Sequence, residues 1–320
     1  MSHAEPPEQP SCLVRYSAAL RLAVTAAVLF LLWQIADVQE VLTLLSGVDL
    51  RWLLAALLTA HLQIILSALR WRLTAGQLEQ VLSRGEAIGE YYLSQLINFT
   101  VPGGILGDAG RAVRQRHRAG LARAAQAVVI ERMAGQIALF AVMFVGFFAV
   151  VLLPGGLVLP GWVGDLVLWI AGVVGAVAIV ILGLRLVPGM ASRVSVGFVQ
   201  AARRALFARD VWVWQVGLSL LIVACNLASL AFCAAATGTV LPMAAVFTVL
   251  PLVLTAMLIP VSVGGWGLRE GAAAAIWPVL GARAEAGIAA SIVFGIVILV
   301  ATLPGLWVLL RRMRRDRGAL

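Results

Sequence analysis

Residues 98–111 read NFTVPGGILGDAGR and follow an apolar run in a chain made mostly of apolar runs. One proline, four glycines, a carboxylate and an arginine within fourteen residues do not suit a transmembrane helix. A second stretch, 259–270 (IPVSVGGWGLRE), has the same design. Aligned on Pro102 and Pro260, both carry glycine five residues on (Gly107, Gly265) and arginine nine residues on (Arg111, Arg269). Broken backbone beside charge is tolerated at membrane depth only where protein buries it or a water-filled cavity receives it. Paired interruptions in two halves of a chain point to the binding site of a transporter.

The membrane setting follows from composition. Of 320 residues, 62% are hydrophobic and 12% charged, against about 25% charged in a soluble domain. No polar interval is long enough for a soluble domain. The net charge of +9 comes wholly from arginine, since the chain has no lysine. Those arginines fall in short loops beside apolar spans, where they set orientation and meet anionic headgroups. Nucleic acid is therefore not an expected partner. Cys225 and Cys233 stand eight residues apart on one predicted helix, too far for a disulfide. With no Cys/His cluster, no metal and no cofactor is expected.

The chain divides by hydropathy and arginine placement. Residues 1–12 read as a disordered cytoplasmic N-terminus, and 22–36 as an uncleaved first span with no small-residue cleavage site. A loop holding Asp37, Glu40 and Asp49 reads as external, 52–69 as the second span, and Arg70, Arg72 and Arg84 as internal. His61 within that span is a packing contact rather than a proton relay. The run 86–101 is short and is followed by Arg111, Arg114, Arg116, Arg118 and Arg123, so the chain enters and leaves on one face. That makes 86–118 a re-entrant hairpin. Spans at 124–153, 166–184 and 211–236 follow, with a surface helix carrying Val194, Phe198, Ala202 and Leu206 before the last. The run 244–263 is long enough to cross. Crossing there, with a last span at 286–310, would leave the tail Arg311–Arg317 outside, so 244–280 is read as a second hairpin.

The expected fold is an all-α polytopic membrane protein. It is an inverted repeat of three full transmembrane helices plus one re-entrant helical hairpin per half. A single transmembrane domain covers 13–312, with repeats at about 13–153 and 162–310, and 313–320 form a basic cytoplasmic tail. Both termini are cytoplasmic.

The candidate site follows from the breaks. Gly103, Gly104, Gly107, Gly264 and Gly265 let backbone N–H groups approach an anion at the start of a half-helix. Arg111 and Arg269 add a guanidinium fork suited to phosphate. On this reading the two guanidiniums face a shared polar chamber. The alternatives are that Arg111 merely begins a cytoplasmic loop and that Arg269 pairs with its neighbour Glu270. Asp108 either compensates Arg111 or caps the second arm of the hairpin. Glu131 and Arg132 are adjacent, so on a helix they point about 100° apart and do not simply pair with each other. Either they belong to the site or both snorkel to headgroups. Asn98 and Gln95 are expected to satisfy freed backbone groups first, with binding by Asn98 secondary. No HExxH, GxSxG, P-loop or paired-carboxylate motif is present, so no catalytic residue is assigned and an enzyme is not expected.

Several stretches together resemble a known family. They are Arg70-Trp71, the run from Tyr91 through NFTVPGGILGDAGR, the sequence VIERMAG at 129–135, and IPVSVGGWGLRE. In these the chain is similar to the lysylphosphatidylglycerol synthase transmembrane-region family, also called flippase-like. The resemblance implies a multi-pass inner-membrane protein. Some members translocate aminoacylated phosphatidylglycerol, and others are linked to polyprenyl-sugar or other polar lipids. By motif match the role falls on Asp108, Arg111, Glu131, Arg132, Gly264, Gly265, Arg269 and Glu270. Leu106 stands where relatives often carry glycine. The chain stops ten residues after the last span, so the soluble aminoacyl-transferase domain of bifunctional members is expected to be absent. The leading expectation is alternating-access translocation of a lipid with a polar or anionic headgroup, such as a modified phospholipid or a polyprenyl-linked lipid. A membrane-embedded lipid-modifying transferase, or an accessory subunit of an envelope-lipid assembly system, stays open. So does a homodimer or a lipid-synthesising enzyme as protein partner.

Overall fold

The computed structural model describes residues 12–101, 104–152, 157–183, 190–259 and 261–317. Helix α1 (Cys12–Ile35) meets α2 (Val38–Ser46) at a 97° bend. Asp37 makes the corner, accepting the N–H groups of Gln39 (3.0 Å) and Glu40 (3.2 Å) as the N-cap of α2, which satisfies donors the helix cannot. The segment expected as an external loop therefore contains a short helix. Asp49 caps α3 (Leu50–Gln77) in the same manner through the Arg51 N–H.

Two short helices, α4 (Arg84–Thr100) and α5 (Leu106–Ala119), form the first hairpin. Then come α6 (Leu121–Leu152), α7 (Gly161–Gly183), α8 (Met190–Phe207) and α9 (Trp212–Ala236). The second hairpin pairs α10 (Met243–Ala256) with α11 (Leu268–Ile276), which runs into a 3-10 turn at Trp277–Leu280. At fourteen residues, α10 extends roughly 21 Å, less than the hydrocarbon core. Helices α12 (Ala284–Thr302) and α13 (Pro304–Arg317) continue one another through a long apolar stretch. The basic tail expected from residue 313 is thus helical through Arg317. Residues 1–11 and 318–320 lie outside the described residues.

Helices α3, α6, α7, α9 and the α12–α13 pair are each long and apolar enough to cross a membrane, and the bent α1–α2 pair would make a sixth. No strand occurs among the described residues. The protein is an all-α multi-pass membrane protein.

The core forms where α3 lies along α9. Ala56, Ala60, Ile64, Ala68, Trp71 and Ala75 share one buried face of α3, and the alanines bring the backbones close enough to pack. Ser229 of α9 donates to the Ala56 carbonyl across this seam (3.0 Å). Helix α10 comes close to α6 at Phe247, whose carbonyl lacks its intrahelical donor because Pro251 has no N–H. Gly146 of α6 lies against that carbonyl so closely that any Cβ would overlap it. Helix α8 buries Ala201 and Ala205 and packs on α3, α6 and α9, so the surface helix is docked on the bundle. Helix α7 buries only Val163 and Val167 and turns its remaining apolar surface outward, as a lipid-facing helix does.

The first hairpin closes on Gly107, where a Cβ would collide with the Ser94 carbonyl of α4. Gly107→Val therefore forces α5 off α4 and is expected to destabilise the protein by about 1–3 kcal/mol. A lowered melting temperature in detergent checks this. Gly85→Ala, with open space around it, serves as the neutral comparison.

Candidate functional site

The first break is held by the helix that precedes it. Ile105, the N-cap of α5, offers no side-chain acceptor. Asn98 substitutes for it, its Oδ1 accepting the Gly107 N–H (2.8 Å). Its Nδ2 donates to Asp108 Oδ2 (3.2 Å), and Ser94 Oγ donates to Asp108 Oδ1 (2.9 Å). Asn98 thus performs the backbone repair expected of it. Asp108 compensates charge rather than capping. Pro102, Gly103 and Pro260 lie outside the described residues.

One turn further, Arg111 is fully buried. Its Nη2 donates to Asp108 Oδ1 (3.1 Å) and to Glu131 Oε2 (3.3 Å). Its Cζ lies 4.4 Å from the Trp71 ring centroid and 4.6 Å from that of Tyr91. Among the described residues Nε and Nη1 find no hydrogen-bond partner, so the ring faces are their surroundings. Glu131 is also fully buried. Its Oε1 accepts from Arg70 Nη2 (2.7 Å) and Tyr91 Oη (3.2 Å). Arg70 reaches on to Ser219 Oγ of α9 (3.0 Å). Arg132 points elsewhere and pairs with Asp108. The roughly 100° between adjacent helical side chains accounts for this split.

The result is a chain of alternating charge, Arg70–Glu131–Arg111–Asp108–Arg132, tying α3, α5 and α6 together. Three arginines against two carboxylates leave one net positive charge. The side chain of Arg132, 39% exposed, is the accessible end of the chain.

The second break is self-contained. Arg269, fully buried, donates from Nη2 (2.6 Å) and Nε (3.1 Å) to Glu270 Oε1. Its Nε also donates to Ser291 Oγ (2.8 Å), which donates in turn to Glu270 Oε1 (2.9 Å). Glu270 Oε2 accepts the Gly267 N–H (2.6 Å). Trp266 and Phe294 flank the guanidinium at 5.0 and 5.5 Å. The glycines matched by sequence do different work here. Gly107 allows close approach, whereas Gly265 adopts φ +83°, which a side chain would strain.

The two breaks meet. Gly264 lies against Phe99 in the last turn of α4, and both breaks line one cavity of about 260 Å³. Its polar wall includes Gln63, Ser67 and Arg70 of α3, Gln95 and Asn98 of α4, and Glu131, Arg132 and Gln136 of α6. Leu254, Met257 and Leu258 beside the second break, with Phe294 and Ile298 of α12, form an apolar wall. The volume is near the low end for ligand sites and suits a headgroup, not acyl chains.

Of the residues singled out from sequence, Asn98, Gly104, Glu131, Arg132, Gly264 and Gly265 line this cavity. Gly107, Asp108 and Arg111 stand behind it. Arg269 and Glu270 pair with each other outside its wall. The two guanidiniums therefore do not face a shared chamber: each is spent on carboxylates and aromatic rings. Sequence reasoning passed over Arg70, Gln136 and Asn226 as site residues. Arg70 resembles a loop arginine, yet it lies twenty residues into a 28-residue helix.

An all-α membrane protein with two broken helices closing on an amphipathic, singly charged cavity belongs to the class of membrane proteins built around a polar site within the bundle. The pattern defining the lysylphosphatidylglycerol synthase TM region matches residues 18–305, and the chain belongs to that family. Among curated proteins no sequence matches.

The Arg269–Glu270 pair makes a clean stability test. Arg269→Met strands a buried carboxylate and is expected to destabilise by about 3–5 kcal/mol. Adding Glu270→Gln removes that charge and keeps the acceptor for Gly267, so most of the loss should be recovered. Melting curves of the two variants in detergent check the recovery.

Proposed function

We propose that this protein translocates a lipid with a polar, anionic headgroup across the cytoplasmic membrane by alternating access. The observation carrying this reading is the amphipathic cavity where the two breaks meet, with the partly exposed side chain of Arg132 in its polar wall. Charge inside a span is expensive and marks function by default. Arginine suits a phosphodiester because its planar fork matches two phosphate oxygens.

On this reading the two hairpins are re-entrant and the halves are oppositely oriented. The arginine-bearing segments around 72–84, 114–123, 203–209 and 311–317 face the cytoplasm. In the resting state Asp108 occupies Arg132. An arriving phosphodiester takes that place, and Asp108 keeps Ser94, Asn98 and Arg111 as partners. The exchange loosens α5 from α6 at one point while Arg111–Glu131 remains, so binding is converted into freedom of the first hairpin. The apolar wall lets the acyl chains stay in lipid as the headgroup passes. Arg111 and Arg269 act through position, holding the breaks in shape.

Arg132→Gln removes the accessible cation and leaves the other four charges in place. In proteoliposomes containing fluorescent phosphatidylglycerol, it is expected to slow translocation at least about tenfold, the loss of roughly one charge-assisted hydrogen bond. Translocation by this variant at the wild-type rate would overturn the role given to the cavity.

A further inference from the structure

Besides Asn98, four primary carboxamides converge on the cavity from four different helices: Gln63 of α3, Gln95 of α4, Gln136 of α6 and Asn226 of α9. Gln63 Nε2 donates to Ser67 Oγ (2.9 Å). The side chains of Gln95, Gln136 and Asn226 make no hydrogen bond among the described residues and are partly accessible. Ser67 and Ser229 add hydroxyls to the same wall. An amide without a partner in an apolar setting is costly, and helix packing gives Gln95, Gln136 and Asn226 nothing to bind. Asn98 and Gln215 show the contrast, since both have donated their amides to partners within the protein.

A carboxamide presents donors and an acceptor side by side, matching a hydroxyl, which is both. Several of them around a space of about 260 Å³ match a headgroup bearing several hydroxyls. They match an ammonium poorly, because that needs acceptors alone. The one carboxylate in the cavity wall, Glu131, is already engaged by Arg70, Tyr91 and Arg111. The charge cluster beside the cavity is net positive.

We infer that the carboxamides of Gln63, Gln95, Gln136 and Asn226 form a hydroxyl-reading wall, so that the lipid taken up is a phosphodiester whose headgroup is a polyol or a sugar. This rests on the proposed translocation, with Arg132 taking the phosphate and the amides taking the hydroxyls. It makes headgroup hydroxyls, in addition to charge, the basis of selection. A buried site built to bond hydroxyls discriminates strongly against an analogue that lacks them.

The test offers wild-type protein three lipids of equal charge: phosphatidylglycerol, phosphatidylinositol and phosphatidylethanol, whose headgroup has no hydroxyl. In proteoliposomes, the hydroxylated lipids are expected to move at least about tenfold faster than phosphatidylethanol. Whether glycerol or inositol leads tells a small polyol from a ring. Gln136→Leu and Asn226→Leu should bring the hydroxylated lipids down to the phosphatidylethanol rate. Equal rates for all three lipids in wild type would overturn the inference, as would variants that slow all three alike, since the amides would then hold only water. Retention of the same lipids by detergent-solubilised protein, read by native mass spectrometry, needs no transport. Preferential retention of hydroxylated lipids without movement would uphold the wall and overturn the translocation alone. Equal retention would overturn the wall.

Discussion

A guanidinium with no access to water can persist in a bundle like this only if every part of it is met by something. Arg111 is met by two carboxylates and by the ring faces of Trp71 and Tyr91. Those partners come from α3, α4, α5 and α6. The requirement to neutralise one buried cation therefore fixes the relative placement of four helices. A buried ion pair adds little net stability, yet a broken one is severely penalised. Such a cluster specifies an arrangement more than it strengthens one. The second half solves the same problem with fewer parts, since Glu270 is the next residue and one other helix, α12, contributes Ser291 and Phe294.

The cavity is a by-product of how these demands are distributed. Polar side chains needed around the first break gather on α3, α4 and α6. The second break keeps its charges to itself and presents Leu254, Met257 and Leu258. The lining as a whole is mixed, since Ile64, Leu139, Ile222 and Val223 also face the space beside the polar groups. Gly264 lets Phe99 approach the second break, and Gly265 makes room for Met257.

Much of this architecture is readable in the sequence because bilayer thickness is a strict ruler. Runs near twenty apolar residues became spans, and the runs ending in Pro-x4-Gly-x3-Arg became paired short helices. The run 244–263 looks long enough to cross, and α10 there is fourteen residues long. Helical periodicity also foretold that Glu131 and Arg132 would find different partners. What the sequence did not disclose is azimuth across helices. Arg111 and Arg269 look equivalent in a one-dimensional match, yet one joins a five-residue network and the other pairs with its neighbour. The amide at 226 has no motif around it, and the one at 136 follows the VIERMAG stretch without belonging to any charge pattern. Only their convergence distinguishes them from isolated polar residues in an apolar span.

Contact between Phe99 and Gly264 has a mechanical meaning. Where the tips of two bent segments touch across a bundle, neither can advance by more than a van der Waals gap without pushing the other. Along the line that joins them, Phe99 and Gly264 would share one displacement.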